Sequence, residues 1–423
     1  MTEFKPIINS LMDVDFYKLT MGQLIWRYYP DVNVTFELMN RTKKIRVADL
    51  IDMDELVRQL DHARSLRFKE RTEIYYLRGM DVYGERMFQE GYIKNLIGFR
   101  LPPYELSVED GQLRLRFSGK WIDVSMWETI AMSIVSELRV RAGLALMSKC
   151  DIEIMYQKAD IKQNQKLTEI KKRPHLTISD FATRRRHGFG WHKKSVEEAV
   201  CVIREQLSGT SNTLLAFLLN LIPIGTSAHE LQMVLAALLP RPEDKRRTQY
   251  QVLYKWQDLY GDGLRIFLPD TFGTDQFLED APREIAVVWR GSRQDSGDPF
   301  EYGEKLIAWY KKHEVDPTQK LIIFSDGLDV GDIIQLEEYF RGRIKVTFGW
   351  GTLFANDFRG CYPEELAPYF APASVICKPV EAEGRPTVKL SDNVQKATGD
   401  PEAVKEYLKI FGEDRRRNIP VFV

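Results

Sequence analysis

Several short polar segments of this chain carry groups suited to gripping a phosphorylated sugar. RQDSGDP (293–299) follows an apolar run and sets Arg293 and Asp295 on the same side of an extended stretch. A guanidinium fork fits phosphate, and a neighbouring carboxylate fits a sugar hydroxyl or Mg²⁺; an ordinary Arg–Asp ion pair in a loop is the plain alternative. FSDGLD (324–329) puts Asp326 and Asp329 around Gly327 directly after LIIF. An ionised carboxylate there can accept hydrogen bonds from two vicinal ribose hydroxyls. FGWGTLFAND (348–357) offers Gly349, Gly351 and Thr352 ahead of a helix-like start, where outward-pointing backbone N–H groups receive phosphate. This GxG lacks the third glycine of a dinucleotide fingerprint, and no GxxxxGK[ST] phosphate loop occurs anywhere in the chain.

The strongly basic stretch is DFATRRRHGFGWHKK (180–194), with seven Arg, Lys or His between Arg184 and Lys194. Interleaved Phe189 and Trp191 suit RNA, whose bases stack on aromatic rings. Lys+Arg (60) nearly balances Asp+Glu (61), however, and no second basic stripe accompanies this one. A local anion funnel fits better, with Phe181 available to stack on a flat aromatic substrate and Lys193 and Lys194 solvated. His229 follows a Gly225-Thr226-Ser227 turn, beside Glu230, which is expected to orient the imidazole. HELQM lacks the second histidine of a zinc protease, so His229 reads as a nucleophile or phosphorylation site if it is more than structural.

These segments recur at the ends of apolar runs. HLTI, PI, LRIFL, IAVVW, LIIF and IKVTF each lead into a polar, Gly-containing loop, with helices expected at 300–312 and 331–340. Apolar runs of this kind read as buried parallel strands, and six strand-to-loop units predict a β/α barrel or a closely related sheet. Loops at the C-terminal ends of such strands share one rim. The opening third reads differently: an amphipathic helix over 9–29 with Ser10 as N-cap, a strand at 32–38, and a hairpin at 106–119. A further hairpin over 378–392 turns at Glu383-Gly384 and is expected to pack back on the N-terminal domain. The resulting expectation is an α/β protein: an N-terminal α+β domain (1–135), an irregular β/α barrel domain (136–375), and a C-terminal segment (376–423) whose strands complete the N-terminal domain.

Composition limits the remaining classes. Apolar residues make up 44% and charged residues 29%, an ordinary globular balance for 423 residues. Four cysteines, with no CxxC pair, suggest buried thiols in a reducing compartment rather than a disulfide framework or a zinc site. The opening residues lack a signal peptide's apolar core, and the most apolar run, 214–224, is well short of the ~20 residues of a spanning helix. A cytoplasmic protein is expected.

Taken in order, SLMDVDFYKLTMGQ, FELMNRT, DFATRRR, GTSN, GTSAHE, DTFGTD, RQDSGDP, SDGLD, FGWGT and GRPTVKLSD resemble the bacterial-type nicotinate phosphoribosyltransferases, from about residue 10 to residue 410. The resemblance implies a type II phosphoribosyltransferase of NAD salvage. It would make nicotinate mononucleotide and pyrophosphate from nicotinate and phosphoribosyl pyrophosphate, with ATP hydrolysis coupled through phosphorylated His229 and Mg²⁺ on the pyrophosphate. It also implies a homodimer with shared sites. Phe181 would stack one face of the pyridine, with Tyr17 from the partner on the other, and Arg184 would meet pyrophosphate or carboxylate. Ser211 would lie near the nicotinate carboxylate, where nicotinamide-using relatives carry an acid. Arg293 and Asp295 would contact ring and ribose, Asp326 the ribose, and Gly349, Gly351 and Thr352 the 5′-phosphate; Arg41 and Lys389 would reach pyrophosphate or ATP. Ala182 stands where the family has glycine, and Gln294 where it has His or Pro. Nicotinamide or quinolinate phosphoribosyl transfer, or RNA binding through 180–194, are the alternative functions.

Overall fold

A computed structural model describes residues 4–82 and 84–412, together with Arg416 and Asn418. Two sheets organise them. The first is antiparallel: β1 (Asn33–Asn40), β2 (Glu105–Glu109), β3 (Gln112–Lys120), β10 (Val375–Ala382) and β11 (Arg385–Pro386), in the order β11-β10-β1-β3-β2. The second is parallel: β4 (Ile178–Asp180), β5 (Leu207–Thr210), β6 (Ile266–Phe267), β7 (Gly291–Gln294), β8 (Leu321–Phe324) and β9 (Lys345–Trp350), in the order β5-β4-β9-β8-β7-β6. The C-terminal hairpin joins the N-terminal sheet as expected. β10 pairs with β1, Leu38 opposite Cys377, and the turn carries Glu383 at φ 46° and Gly384 at φ 72°, as a two-residue hairpin loop requires.

Local chemistry explains most boundaries. The helix Pro299–Lys312 starts with proline at its first position and Asp298 accepting from the Glu301 amide at 2.9 Å. Val330–Phe340 starts with a reciprocal capping box between Asp329 and Asp332. The long helix Trp127–Ala145 lies against the antiparallel sheet and the basic turn after β4, and the hydroxyls of Ser133 and Ser136 donate to the carbonyls of Thr183 and Arg186. That helix ties the basic turn to the N-terminal core.

Four expectations about the elements change. The first helix spans Tyr17–Tyr28 rather than 9–29. Ser10 donates to Glu73 instead of capping it, because the DVD segment is drawn out to meet the segment after β5 through a bridge between Asp15 and Asn212. IAVVW is largely helix, within Arg283–Val288, and the strand is the more polar GSRQ at 291–294; periodicity alone does not separate a short buried helix from a strand. The PI run forms only a bridge to Thr210, while LSGT (207–210) is a true strand that its polarity hid. The segment 376–423 divides: its strands join the N-terminal sheet, but the helix Pro401–Phe411 packs with Phe272, Val388 and Leu390 in a separate small core. Of the four thiols, Cys361 and Cys377 are buried, whereas Cys150 and Cys201 are exposed.

Candidate active site

The loops after the parallel strands, together with β10 and the segment behind it, enclose a cavity of about 180 Å³. Tyr17, Arg41, Phe181, Arg184, Ser211, His229, Arg293, Asp295, Asp326, Gly351, Thr352 and Lys389 all line it. Gly349 does not line it. A Cβ there would stand 2.4 Å from ring carbons of Phe181, so this glycine is the seat on which the Phe181 ring rests rather than a phosphate contact. Phe181 is pinned to the same strand end by its amide, which donates to the Trp350 carbonyl at 2.9 Å.

The chain's own Tyr17 lines the chain's own cavity, and its hydroxyl accepts from Arg184 Nη1 at 2.9 Å. Ser211 lies where a carboxylate end was expected, but an acid is present after all. Asp15 is buried and its Oδ1 accepts from the Ser211 hydroxyl at 2.6 Å, while its Oδ2 stands 3.1 Å from Arg184 Nε. Spacing gave no hint of this, because Asp15 is nearly two hundred positions away from Ser211 in the chain.

At the other end His229 sits in a polar cage. Its Nδ1 is 2.9 Å from Thr271 Oγ1, and its Nε2 is 2.9 Å from Asp295 Oδ2, 2.8 Å from Lys389 Nζ and 3.7 Å from Asp270 Oδ1. Burial and then the Lys389 charge push the imidazole down to about 4, which keeps it neutral near pH 7. Burial alone would raise the Asp295 carboxyl. The His229 hydrogen bond and the charges of Arg293 and Lys389 instead hold it well below the usual range. Glu230 does not orient the imidazole, contrary to the sequence expectation. It accepts from Trp121 Nε1 at 2.7 Å, Ser125 Oγ at 2.6 Å and Lys18 Nζ at 2.5 Å, because the helix beginning at Glu230 turns that side chain into the N-terminal core.

One wall of the cavity is basic. Lys396, which no motif marked, donates to the Asp295 carbonyl at 2.8 Å and pairs with Asp326. Arg41 is held by the Lys396 carbonyl at 2.8 Å and Thr398 Oγ1 at 2.6 Å. Arg185 also lines the cavity and forms no ion pair among the described residues; burial and the charges of Arg184 and Arg41 lower it to about 10. The rest of the basic stretch is structural. Arg186 is buried in a bidentate pair with Asp13 at 2.6 and 2.7 Å, and His187 stacks on Phe358 at 3.7 Å. Lys193 and Lys194 pair with Glu197, Glu198 and Asp160. Gln294, one of the two departures, is buried and donates to the carbonyls of Ser296 and Gly297, clamping the turn after Asp295. Ala182 is buried with its amide given to Asp180 Oδ1 at 2.8 Å.

Comparison with known proteins matches this arrangement across nearly the whole chain. The nicotinate phosphoribosyltransferase (NAPRTase) family model matches residues 176–414, and that of the family's N-terminal domain matches residues 12–136. A nicotinate phosphoribosyltransferase from Vibrio cholerae superposes with a TM-score of 0.86 at 34% identity, over 96% of this chain and 94% of that one. One from Porphyromonas gingivalis superposes at 0.83 and 27% identity, over 96% and 100%. With the parallel sheet, the antiparallel sheet and the cavity between them all accounted for, the chain belongs to the nicotinate phosphoribosyltransferase family.

Proposed function

We propose that this chain joins nicotinate to the ribose C1 of phosphoribosyl pyrophosphate, releasing pyrophosphate, and that ATP drives the turnover through a phosphate carried on His229. The single observation that carries the reading is the convergence of an aromatic slot, a ribose-type carboxylate and a basic wall on one cavity, with a neutral histidine at its far end.

In this reading nicotinate lies against Phe181 and Tyr17 with its carboxylate toward Ser211 and Arg184. Breaking the C1–oxygen bond leaves positive charge on the ribose, which Asp295 and Asp326 face, and negative charge on pyrophosphate, which Arg41, Arg185, Lys389 and Lys396 face. The pyridine nitrogen is already a nucleophile, so positioning and electrostatics supply most of the acceleration without a general base. His229 Nε2 is the phosphate acceptor, since its neighbours Lys389 and Asp295 both line the cavity while Nδ1 is tied to Thr271. With the ring proton on Nδ1 and given to Thr271 Oγ1, the Nε2 lone pair of the neutral imidazole attacks the terminal phosphorus of ATP, the bond from that phosphorus to the bridging oxygen breaks and ADP leaves, while the Lys389 ammonium balances the charge on the transferred oxygens.

Mg²⁺ fits here as well. Asp270 Oδ1 is buried with no hydrogen-bond partner, and the ligand atoms of His229, Asp270 and Asp295 lie within 4.8 Å of one another. Asp270 and Asp295 would hold the ion, which would neutralise phosphate oxygens. A homodimer and a cytoplasmic location are part of the same reading; among the described residues no helix is long and apolar enough to cross a membrane.

The deciding experiment is pyrophosphate release from phosphoribosyl pyrophosphate with nicotinate, nicotinamide or quinolinate, with and without ATP. Nicotinate should be the preferred acceptor and ATP should stimulate it. A His229→Ala enzyme still stimulated by ATP would refute the phosphohistidine, and preferred turnover of either other pyridine would refute the acceptor.

A further inference from the structure

Beneath the ring end of the cavity lies a buried charge cluster whose signs cancel. Lys18 Nζ is 2.5 Å from both Glu128 and Glu230, Lys378 Nζ is 2.9 Å from Glu128, and Arg184 Nε is 3.1 Å from Asp15. Three cations therefore face three carboxylates, each of the acids no more than 1% exposed. A nicotinate carboxylate beside Ser211 adds a fourth negative charge to this neutral cluster. In a medium with little water, carboxylates in excess of their counter-ions do not all stay ionised.

The cations around each carboxylate, three at Glu128 against one at Asp15, identify which acid is able to yield. Glu128 is held ionised by Lys18, Lys378 and Arg184, whereas Glu230 accepts hydrogen bonds from Lys18, Trp121 and Ser125. Asp15 receives the Ser211 hydroxyl on Oδ1, but Oδ2 has no aligned hydrogen bond despite its closeness to Arg184. We propose that Asp15 is a specificity-determining residue that takes up a proton from solvent as nicotinate binds, so that its Oδ2–H donates to the substrate carboxylate while Arg184 is shared between the two. The proton returns to solvent when the product leaves, so nothing is consumed. Burial already pushes the Asp15 carboxyl up in the free chain, and the groups facing it act in both directions: Arg184 and Arg186 with the Ser211 and Thr183 hydroxyls favour the ion, whereas Glu128 opposes it. The Tyr17 hydroxyl also faces it. The bridge between Asp15 and Asn212 fixes the carboxyl in this place.

The inference rests on the reading of the Ser211 end as the carboxylate end, and it makes selectivity depend on pH. An ionised Asp15 would accept the amide N–H of nicotinamide and repel nicotinate; a protonated one would do the reverse. The test measures the nicotinate KM and the nicotinamide inhibition constant from pH 6.5 to 9 at saturating phosphoribosyl pyrophosphate, so that groups common to both ligands cancel. Nicotinate should weaken relative to nicotinamide by up to about tenfold per pH unit once Asp15 must be protonated to bind it. In Asp15→Asn, checked for folding by circular dichroism, the ratio should become flat. A flat ratio in the unaltered protein overturns the proposal whatever the variant does, and so does an unchanged slope in Asp15→Asn. Absence of nicotinate turnover at every pH would instead bring down the acceptor reading beneath it.

Discussion

Replacing Gly349 by alanine separates two roles that one residue could play. The backbone tolerates the change, since Gly349 is not among the glycines with positive φ. The side chain does not fit. The new Cβ would lie 2.4 Å from Phe181 Cδ2 and Cε2 and 3.0 Å from Cζ. Ordinary carbon contacts begin near 3.5 Å, so the ring must retreat by about 1 Å. Strand β9 holds it from behind, and the open direction is into the cavity. Overpacking of this kind costs about 1–3 kcal/mol, which corresponds to a rise of roughly 5- to 150-fold in the nicotinate KM. Initial rates with nicotinate varied at saturating phosphoribosyl pyrophosphate, and then the converse, give both constants. The nicotinate KM should rise while that for phosphoribosyl pyrophosphate stays level. If instead the phosphoribosyl pyrophosphate KM rises alone, Gly349 touches phosphate, as sequence reasoning expected, and the packing argument is wrong.

Other perturbations probe the rest of the framework. Lys389→Met removes the ammonium 2.8 Å from His229 Nε2; phosphate incorporation into the protein from labelled ATP should fall about 100-fold, and retention of full labelling would exclude Lys389 from that step. Asp13→Ala strands Arg186, which is fully buried. Breaking such a pair costs about 3–5 kcal/mol, read as a lower urea midpoint; a shift under about 1 kcal/mol would mean the guanidinium finds another partner. Stability should also fall in acid. Burial lowers His229 to about 4 and His187 to about 3 from the ordinary 6.5. Below about pH 6.5 the unfolded chain therefore binds protons that the folded chain refuses. The contribution is present in full above that pH and is lost toward pH 4, at about 1.4 kcal/mol per pH unit for each histidine. His187→Phe, which keeps the ring stack on Phe358, should remove about half of this slope, and an unaltered slope would place its origin elsewhere.

Much of the site was legible because its chemistry is local. Arg293, Asp295, Asp326 and Gly351 lie at or just past the ends of strands and Thr352 opens the short helix after one, and a strand end delivers its residue to the common rim whatever its neighbours do. The C-terminal hairpin was legible for a similar reason, since Glu383-Gly384 sets the turn and alternation sets the faces. What stayed hidden involves pairs of residues distant in the chain. Whether IAVVW is helix or strand depends on what covers it, and LSGT becomes a strand because the neighbouring β4 supplies its hydrogen bonds. Lys396 carries no motif and reaches Asp326 by the path of the segment behind β10. The same holds for charge. Composition counts 60 basic against 61 acidic residues, but only folding puts Asp15 against Ser211 and Lys389 against His229, where burial turns ordinary side chains into groups with altered proton affinity. The order and type of the motifs are written along the chain, whereas their mutual distances, and with them the dielectric and the electrostatics of the cavity, exist only once the antiparallel and parallel sheets have come together.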